Sequence, residues 1–132
     1  MSLITYVVIP FVGAADITSE CLRCLSESSS ELRVILVNNG SSENELLLVC
    51  AAAAKHANLH VQFVDFPKNT GFTCAVNAGL KRVPPGHDVV ILNNDCFVSR
   101  DCLTSLRKTS YANGIAITGP ITTDDGAESI RK

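Results

Sequence analysis

Three stretches of this chain are apolar at nearly every position: Ile4-Thr-Tyr-Val-Val-Ile9, Leu32-Arg-Val-Ile-Leu-Val37 and Asp88-Val-Val-Ile-Leu92. A strand with one wet face alternates apolar and polar side chains, whereas a strand without that alternation is covered on both faces. Between the runs lie stretches of helical character. Ser19–Ser26 places Leu22 and Leu25 three apart, and Glu43–His56 is rich in leucine and alanine behind Ser42, with Glu45 at the capping-box position. Such alternation predicts an α/β fold, a Rossmann-like, mostly parallel sheet with helices on both faces.

The remaining elements follow the same rhythm. His60–Phe66 reads as a third strand ended by Pro67, and a helix starts near Phe72 with Pro84-Pro85-Gly86 beyond its end. Asp101–Thr109 reads as a short helix, Gly114–Thr118 as a fifth strand and Thr122–Lys132 as a polar tail. The first strand is expected to stop at Pro10 and the second at Asn38-Asn39-Gly40-Ser41-Ser42, a run of turn and cap formers. At 132 residues this is one domain.

In the helix that begins at Phe72, the residues Phe72, Ala75, Val76, Gly79, Leu80 and Val83 fall on one face and are expected to meet the sheet. Glycine inside a helix costs about 1 kcal/mol relative to alanine, so Gly79 implies that something approaches closely. Thr73, Cys74, Asn77 and Ala78, small or polar, lie on the other sides, as they would beside a ligand cleft or simply in water.

Composition removes several function classes. A net charge of −2 provides no basic field, so no nucleic-acid partner is expected. No apolar run is long enough for a transmembrane segment, and no leader pattern opens the chain; a cytoplasmic protein is expected. The six cysteines show no zinc-site spacing and read as reduced, buried core residues, Cys21 and Cys24 included. Glycine-rich phosphate loops, a P-loop and a nucleophile elbow are all missing from the sequence.

Ligands of such sheets bind outside the carboxyl ends of the strands, which directs attention to four loops: Pro10–Asp16, Asn38–Ser42, Phe66–Gly71 and Asn93–Cys96. Asn93-Asn94-Asp95 follows the apolar fourth strand. A single carboxylate there suits a divalent cation such as Mg²⁺, with water and phosphate oxygens completing the shell; a plain Asn/Asp turn is the other reading. Asn38 and Asn39 could meet a nucleobase or ribose edge or form an Asx turn, and Asn69 could act as a turn former or N-cap ahead of Gly71.

Four blocks taken in order resemble the nucleotide-sugar half of a family 2 glycosyltransferase with the GT-A fold. They are Val7-Val8-Ile9-Pro10; Val34 through Ser41; Asn69-Thr70-Gly71-Phe72 with Ala75, Asn77 and Gly79; and Val90 through Asp95. The likeness runs from Leu3 to about Ile121. It implies a nucleoside-diphosphate sugar partner (UDP-, TDP- or GDP-linked), with Asp95 holding Mg²⁺ or Mn²⁺. Nucleotide contacts would come from Pro10, Asn38, Asn39, Asn69, Gly71, Asn77 and Asn93. Asn93 stands where the family's D-x-D motif begins, and Asn38 where many members place an aspartate that contacts the base. The family's acceptor site and catalytic base follow the fifth strand; Asp124, Asp125 and Glu128 fall too early to match that base. The chain is therefore expected to be truncated and incomplete as an enzyme, with an exposed sheet edge favouring self-association. The alternative is a non-catalytic binding module with the same fold and no donor site.

Overall fold

The computed structural model describes residues 4–120. Four strands, β1 (Thr5–Phe11), β2 (Leu32–Asn39), β3 (Gln62–Phe66) and β4 (Asp88–Ile91), form one sheet in the order β3-β2-β1-β4. Every pairing in it is parallel. The helices are α1 (Ala15–Ser26), α2 (Glu43–Ala54), α3 (Phe72–Leu80) and α4 (Cys102–Asn113), and a short 3-10 turn covers Ala57–Leu59. The α/β class and the parallel sheet are as the apolar runs require.

Topology follows from handedness. The chain steps outward from β1 to β2 to β3, then returns to the far side of β1 for β4. Parallel crossovers are right-handed, so reversing the step puts the connecting helix on the opposite face. Accordingly α1 packs with α2, while α3 packs on β1 and β2. Alternate strand residues feed the two layers. Val7, Ile9 and Phe11 join Val34 and Leu36 under α1 and α2. Val8 joins Ile35, Val37 and Ala75 on the α3 side.

Gly79 is explained by that second layer. A Cβ on it would stand 2.4 Å from Val8 Cγ1 and 3.1 Å from Val37 Cγ2, so the close approach is made by the sheet itself. Ala75 and Val76 are buried beside it as expected. Phe72 is not: it stands 57% exposed at the start of α3, before the helix has settled onto the strands.

Several expected boundaries shift. Pro10 does not end β1; it lies within the strand opposite Val37. It does end the ladder to β4. The Leu92 N–H donates to the Val8 carbonyl at 3.0 Å, and the next bond between these strands would need an N–H from residue 10, which proline lacks. The first strand therefore runs on beside β2 alone, and β1 and β4 part at their carboxyl ends. Asn38 and Asn39 likewise belong to β2, paired with Phe11 and Phe66 respectively.

Gly114–Thr118 forms no strand. Helix α4 continues to Asn113, and Gly114, at φ +62°, takes the left-handed conformation that stops helices. The Ile115 N–H turns back to the Ser110 carbonyl at 2.9 Å, and Ile117 is 89% exposed. The β-branched composition of this stretch suggested a strand, but it finds no neighbour to pair with among the described residues. The expected tail at Thr122–Lys132, with Asp124, Asp125 and Glu128, lies outside the described residues.

The thiols are also less uniform than their residue type suggests. Cys21 is buried and Cys24 and Cys102 are half-buried, but Cys50, Cys74 and Cys96 are exposed; all six are free. Cys50 and Cys74 lie on the outward faces of helices, and Cys96 in the loop after β4, where no second layer covers them.

Candidate functional site at the strand tips

The order β3-β2-β1-β4 reverses at β1, so the switch point lies between the carboxyl ends of β1 and β4. Three loops are fastened around it by side chains distant in sequence. The Gly13 N–H donates to Ser41 Oγ at 2.7 Å, and the Ala15 N–H, in the first turn of α1, donates to Glu45 Oε2 at 2.8 Å. Glu45 was expected to complete a capping box with Ser42. Ser42 Oγ does accept from the Glu45 N–H at 3.3 Å, but the Glu45 carboxylate caps α1 instead. Ala14, the residue before α1, sits in the left-handed region at φ +49°, and its carbonyl accepts from both the N–H and the hydroxyl of Thr18.

Asn38 and Asn39 have different fates because they point to opposite faces of the sheet. The Asn39 amide is fully committed. Its Nδ2 donates to Asn69 Oδ1 at 3.0 Å and to the Gly71 carbonyl at 3.3 Å; its Oδ1 accepts from the Thr70 N–H and the Thr70 hydroxyl, both at 2.8 Å. Asn69 Oδ1 also takes the Gly71 N–H at 2.9 Å. Asn39, Asn69 and Gly71 thus form one network that fixes the loop between β3 and α3. Gly40 makes room for it: at φ +89°, a Cβ there would lie 2.5 Å from the Asn69 nitrogen.

Asn38 is 4% exposed, and its Oδ1 accepts the Ser41 N–H at 3.0 Å, an Asx turn. Its Nδ2 has no partner among the described residues. Among the described residues no buried side-chain nitrogen or oxygen lacks a partner, so that Nδ2 reaches the surface.

Beyond β4 the three polar residues divide by direction. Asn94 turns inward, its Nδ2 donating to the buried Thr18 Oγ1 at 3.1 Å, which pins the loop onto α1. Asn93 and Asp95, on either side of it, are exposed, and the Asn93 carbonyl closes a turn with the Cys96 N–H at 3.1 Å. Asp95 makes no hydrogen bond or ion pair among the described residues. Its charge is felt at Cys21, whose thiol is pushed up to about 12, by burial first, then by Cys96, Cys24 and Asp95.

Asn77 is not gathered into this constellation. It is exposed on α3, on the other face of the sheet, in a groove it shares with Thr70, Thr73, Lys81 and Arg82. Pro10 is buried in β1, where the ladder to β4 stops.

No three of His, Cys, Asp and Glu converge to form a metal cage among the described residues. The donor set at the β4 tip nevertheless fits one kind of metal binding. A single exposed carboxylate, held by an anchored loop and free of internal partners, offers oxygen to a hard cation and leaves most of the shell to water and ligand oxygens.

Residues 6–131 match the pattern of Glycosyl transferase family 2. The chain belongs to that family. A curated relative described as an uncharacterized glycosyltransferase of Haemophilus influenzae is 24% identical over 118 residues, covering 89% of this chain and 46% of the relative. The family 2 chain thus spans less than half the length of that relative. Among solved structures it is similar to a mannosyltransferase of Pyrobaculum calidifontis in complex with GDP-Man and Mn²⁺. The TM-score is 0.74 at 25% identity, covering 80% of this chain and 32% of that one. It also shares its fold with S. aureus TarS 1-349 in complex with UDP-GlcNAc, with TM-score 0.72 and 16% identity over 90% of this chain and 37% of that one. These neighbours establish the GT-A architecture for the described sheet.

Sequence reasoning missed the roles of Ser41, Glu45, Thr18 and Thr70, which hold the strand-tip loops together. Each is an ordinary helix or turn residue locally, and its partner lies 28 to 76 residues away, except Thr18's own bond to Ala14.

Proposed function

We propose that this chain is the donor-binding part of a metal-dependent glycosyltransferase, taking a nucleoside-diphosphate sugar together with Mg²⁺ or Mn²⁺. The observation that carries the reading is Asp95, an unpaired, exposed carboxylate on a loop anchored to Thr18 at the switch point. The family membership and the GDP-Man and Mn²⁺ complex of a structural neighbour support it. Asp95 would hold the ion, which when bound neutralises charge on the departing diphosphate. Asn38 and Pro10 would border the base and Asn93 the ribose. Asn39, Asn69 and Gly71 would act by fixing the loop between β3 and α3.

Sugar transfer also requires a base to take the proton of the acceptor hydroxyl. We assign acceptor binding and that base to polypeptide outside this chain, in keeping with the share of the relative it spans. The chain alone is expected to bind donor nucleotides and to transfer little or no sugar.

Calorimetry with UDP, TDP and GDP, each with Mn²⁺ and with a chelator, tests the reading. Binding of at least one nucleotide with Mn²⁺ is expected, to weaken tenfold or more in Asp95→Asn and to vanish with the chelator. A folded protein that binds none of them with metal overturns it. Affinity unchanged in Asp95→Asn would favour a binding module without the metal site.

A further inference from the structure

Thr18 is fully buried near the start of α1, on the face that also buries Ala15, Cys21, Leu22 and Leu25. Valine has nearly the same shape and no hydroxyl to desolvate, so a threonine here needs a use for its oxygen. The hydroxyl donates to the Ala14 carbonyl at 3.2 Å, a bond reaching back four residues. With its proton engaged there, Oγ1 faces Asn94 as an acceptor only, and Asn94 Nδ2 fills it at 3.1 Å. One oxygen thus joins the loop after β1 to the loop after β4, 76 residues away.

The far loop carries the carboxylate. Asn94 and Asp95 are the central residues of a turn closed by the Cys96 N–H on the Asn93 carbonyl at 3.1 Å. The chain enters that turn through Leu92, whose N–H is bonded to the Val8 carbonyl at 3.0 Å. Asp95 has no hydrogen bond or ion pair of its own among the described residues, so its direction is inherited from the turn. On the near side, Ala14 is held in a fixed frame. The N–H groups on either side of it, of Gly13 and Ala15, donate to Ser41 Oγ at 2.7 Å and Glu45 Oε2 at 2.8 Å.

Resting on the donor-binding reading above, we propose that Thr18 is a positioning residue for that site. Its hydroxyl holds the Asp95 turn against the loop after β1, so that the carboxylate meets the divalent cation already aimed. A carboxylate on an untethered turn would have to be ordered as the cation arrives, which lowers affinity.

Two substitutions separate positioning from bulk stability. Thr18→Val keeps the volume and removes the hydroxyl. The Ala14 carbonyl retains the Thr18 N–H at 3.0 Å and the half-buried Asn94 amide is free to turn to water, so the fold is expected to hold. Thr18→Ser keeps the hydroxyl and leaves a methyl-sized gap, so its urea midpoint is expected to fall. Calorimetry with UDP, TDP and GDP, each with Mn²⁺, is expected to reverse that order. Binding of whichever nucleotide the parent takes should weaken about three- to tenfold in Thr18→Val, the scale of one hydrogen bond, and stay within about twofold in Thr18→Ser. Asn94→Ala is expected to match Thr18→Val, and the double variant to lose no more than either alone. Without metal or nucleotide, amide exchange at Cys96 should quicken in both single variants.

Unchanged affinity in Thr18→Val overturns the inference and leaves the donor site standing. So do losses that multiply in the double variant, or losses that simply follow the urea midpoints. Asn94→Ala decides alone where Thr18→Val does not fold, unchanged affinity again overturning the inference. Absence of any Mn²⁺-dependent nucleotide binding in the parent overturns the donor-binding reading and this inference with it.

Discussion

Asn39 at the end of β2 holds Thr70 twice, accepting from its N–H and from its hydroxyl at 2.8 Å each. The two residues lie 31 positions apart, and their union closes the loop between β3 and α3 over the sheet. An amide that sequence alone places in a ligand-reading position proves to be a staple for the backbone.

Replacing Asn39 therefore tests architecture before binding. Asn39→Ala strands the Thr70 N–H and removes a donor from Asn69 Oδ1 and from the Gly71 carbonyl, and a net loss of roughly 2–3 kcal/mol is expected from several partly buried hydrogen bonds. Urea denaturation should show the midpoint fall with an unchanged slope. A change within about 0.5 kcal/mol, the range of ordinary surface substitutions, would contradict the staple.

Gly79→Ala sets two effects against each other. Helix propensity gains about 1 kcal/mol, but the new methyl meets Val8 Cγ1 at 2.4 Å in a core without slack, where overpacking costs about 1–3 kcal/mol. Steric cost is expected to prevail, giving net destabilisation. Val8→Ala in the same chain should recover part of it, and the double-mutant cycle read by denaturant melts gives the coupling.

Cys21 gives the fold a defined alkaline weakness. Its folded thiol is raised to about 12 from an unperturbed 9.0, chiefly by burial. A raised value means that its contribution is fully present below pH 9 and is lost as pH rises toward 12, because the unfolded thiol ionises first. Its share of the slope reaches about 1.4 kcal/mol per pH unit. Cys21→Ala should flatten stability against pH above 9 relative to the parent. In the native state, Cys50, Cys74 and Cys96 should react with a thiol reagent well before Cys21.

The outer edge of β4 is unpaired among the described residues, and Val89 and Ile91 on it are 41% and 50% exposed. Such an edge invites pairing with a second copy. Light scattering should show the mass rising with concentration, and Ile91→Lys should suppress the rise. A constant monomer mass across the series would count against association through this edge.

The sequence by itself settled the fold class. Continuous apolar runs such as Val34-Ile35-Leu36-Val37 can satisfy only a sheet buried on both sides, and the helices between them allow only parallel pairing. It also put Asp95 in the turn after the fourth strand, since strand polarity and a following turn are local matters; that this strand is a half-exposed edge and not a buried one was decided by the sheet order. Tertiary structure decided the use of each polar group. Glu45 looks like half of a capping box, but it caps α1, 30 residues earlier, because two loops meet at the switch point. Asn38 and Asn39 are chemically identical neighbours, and the pleat alone sends one to Ser41 and the other to Thr70. Gly114–Thr118 has strand composition and no strand beside it among the described residues. Propensity and pattern act along the chain, whereas a hydrogen bond goes to whichever partner folding brings within 3 Å or so.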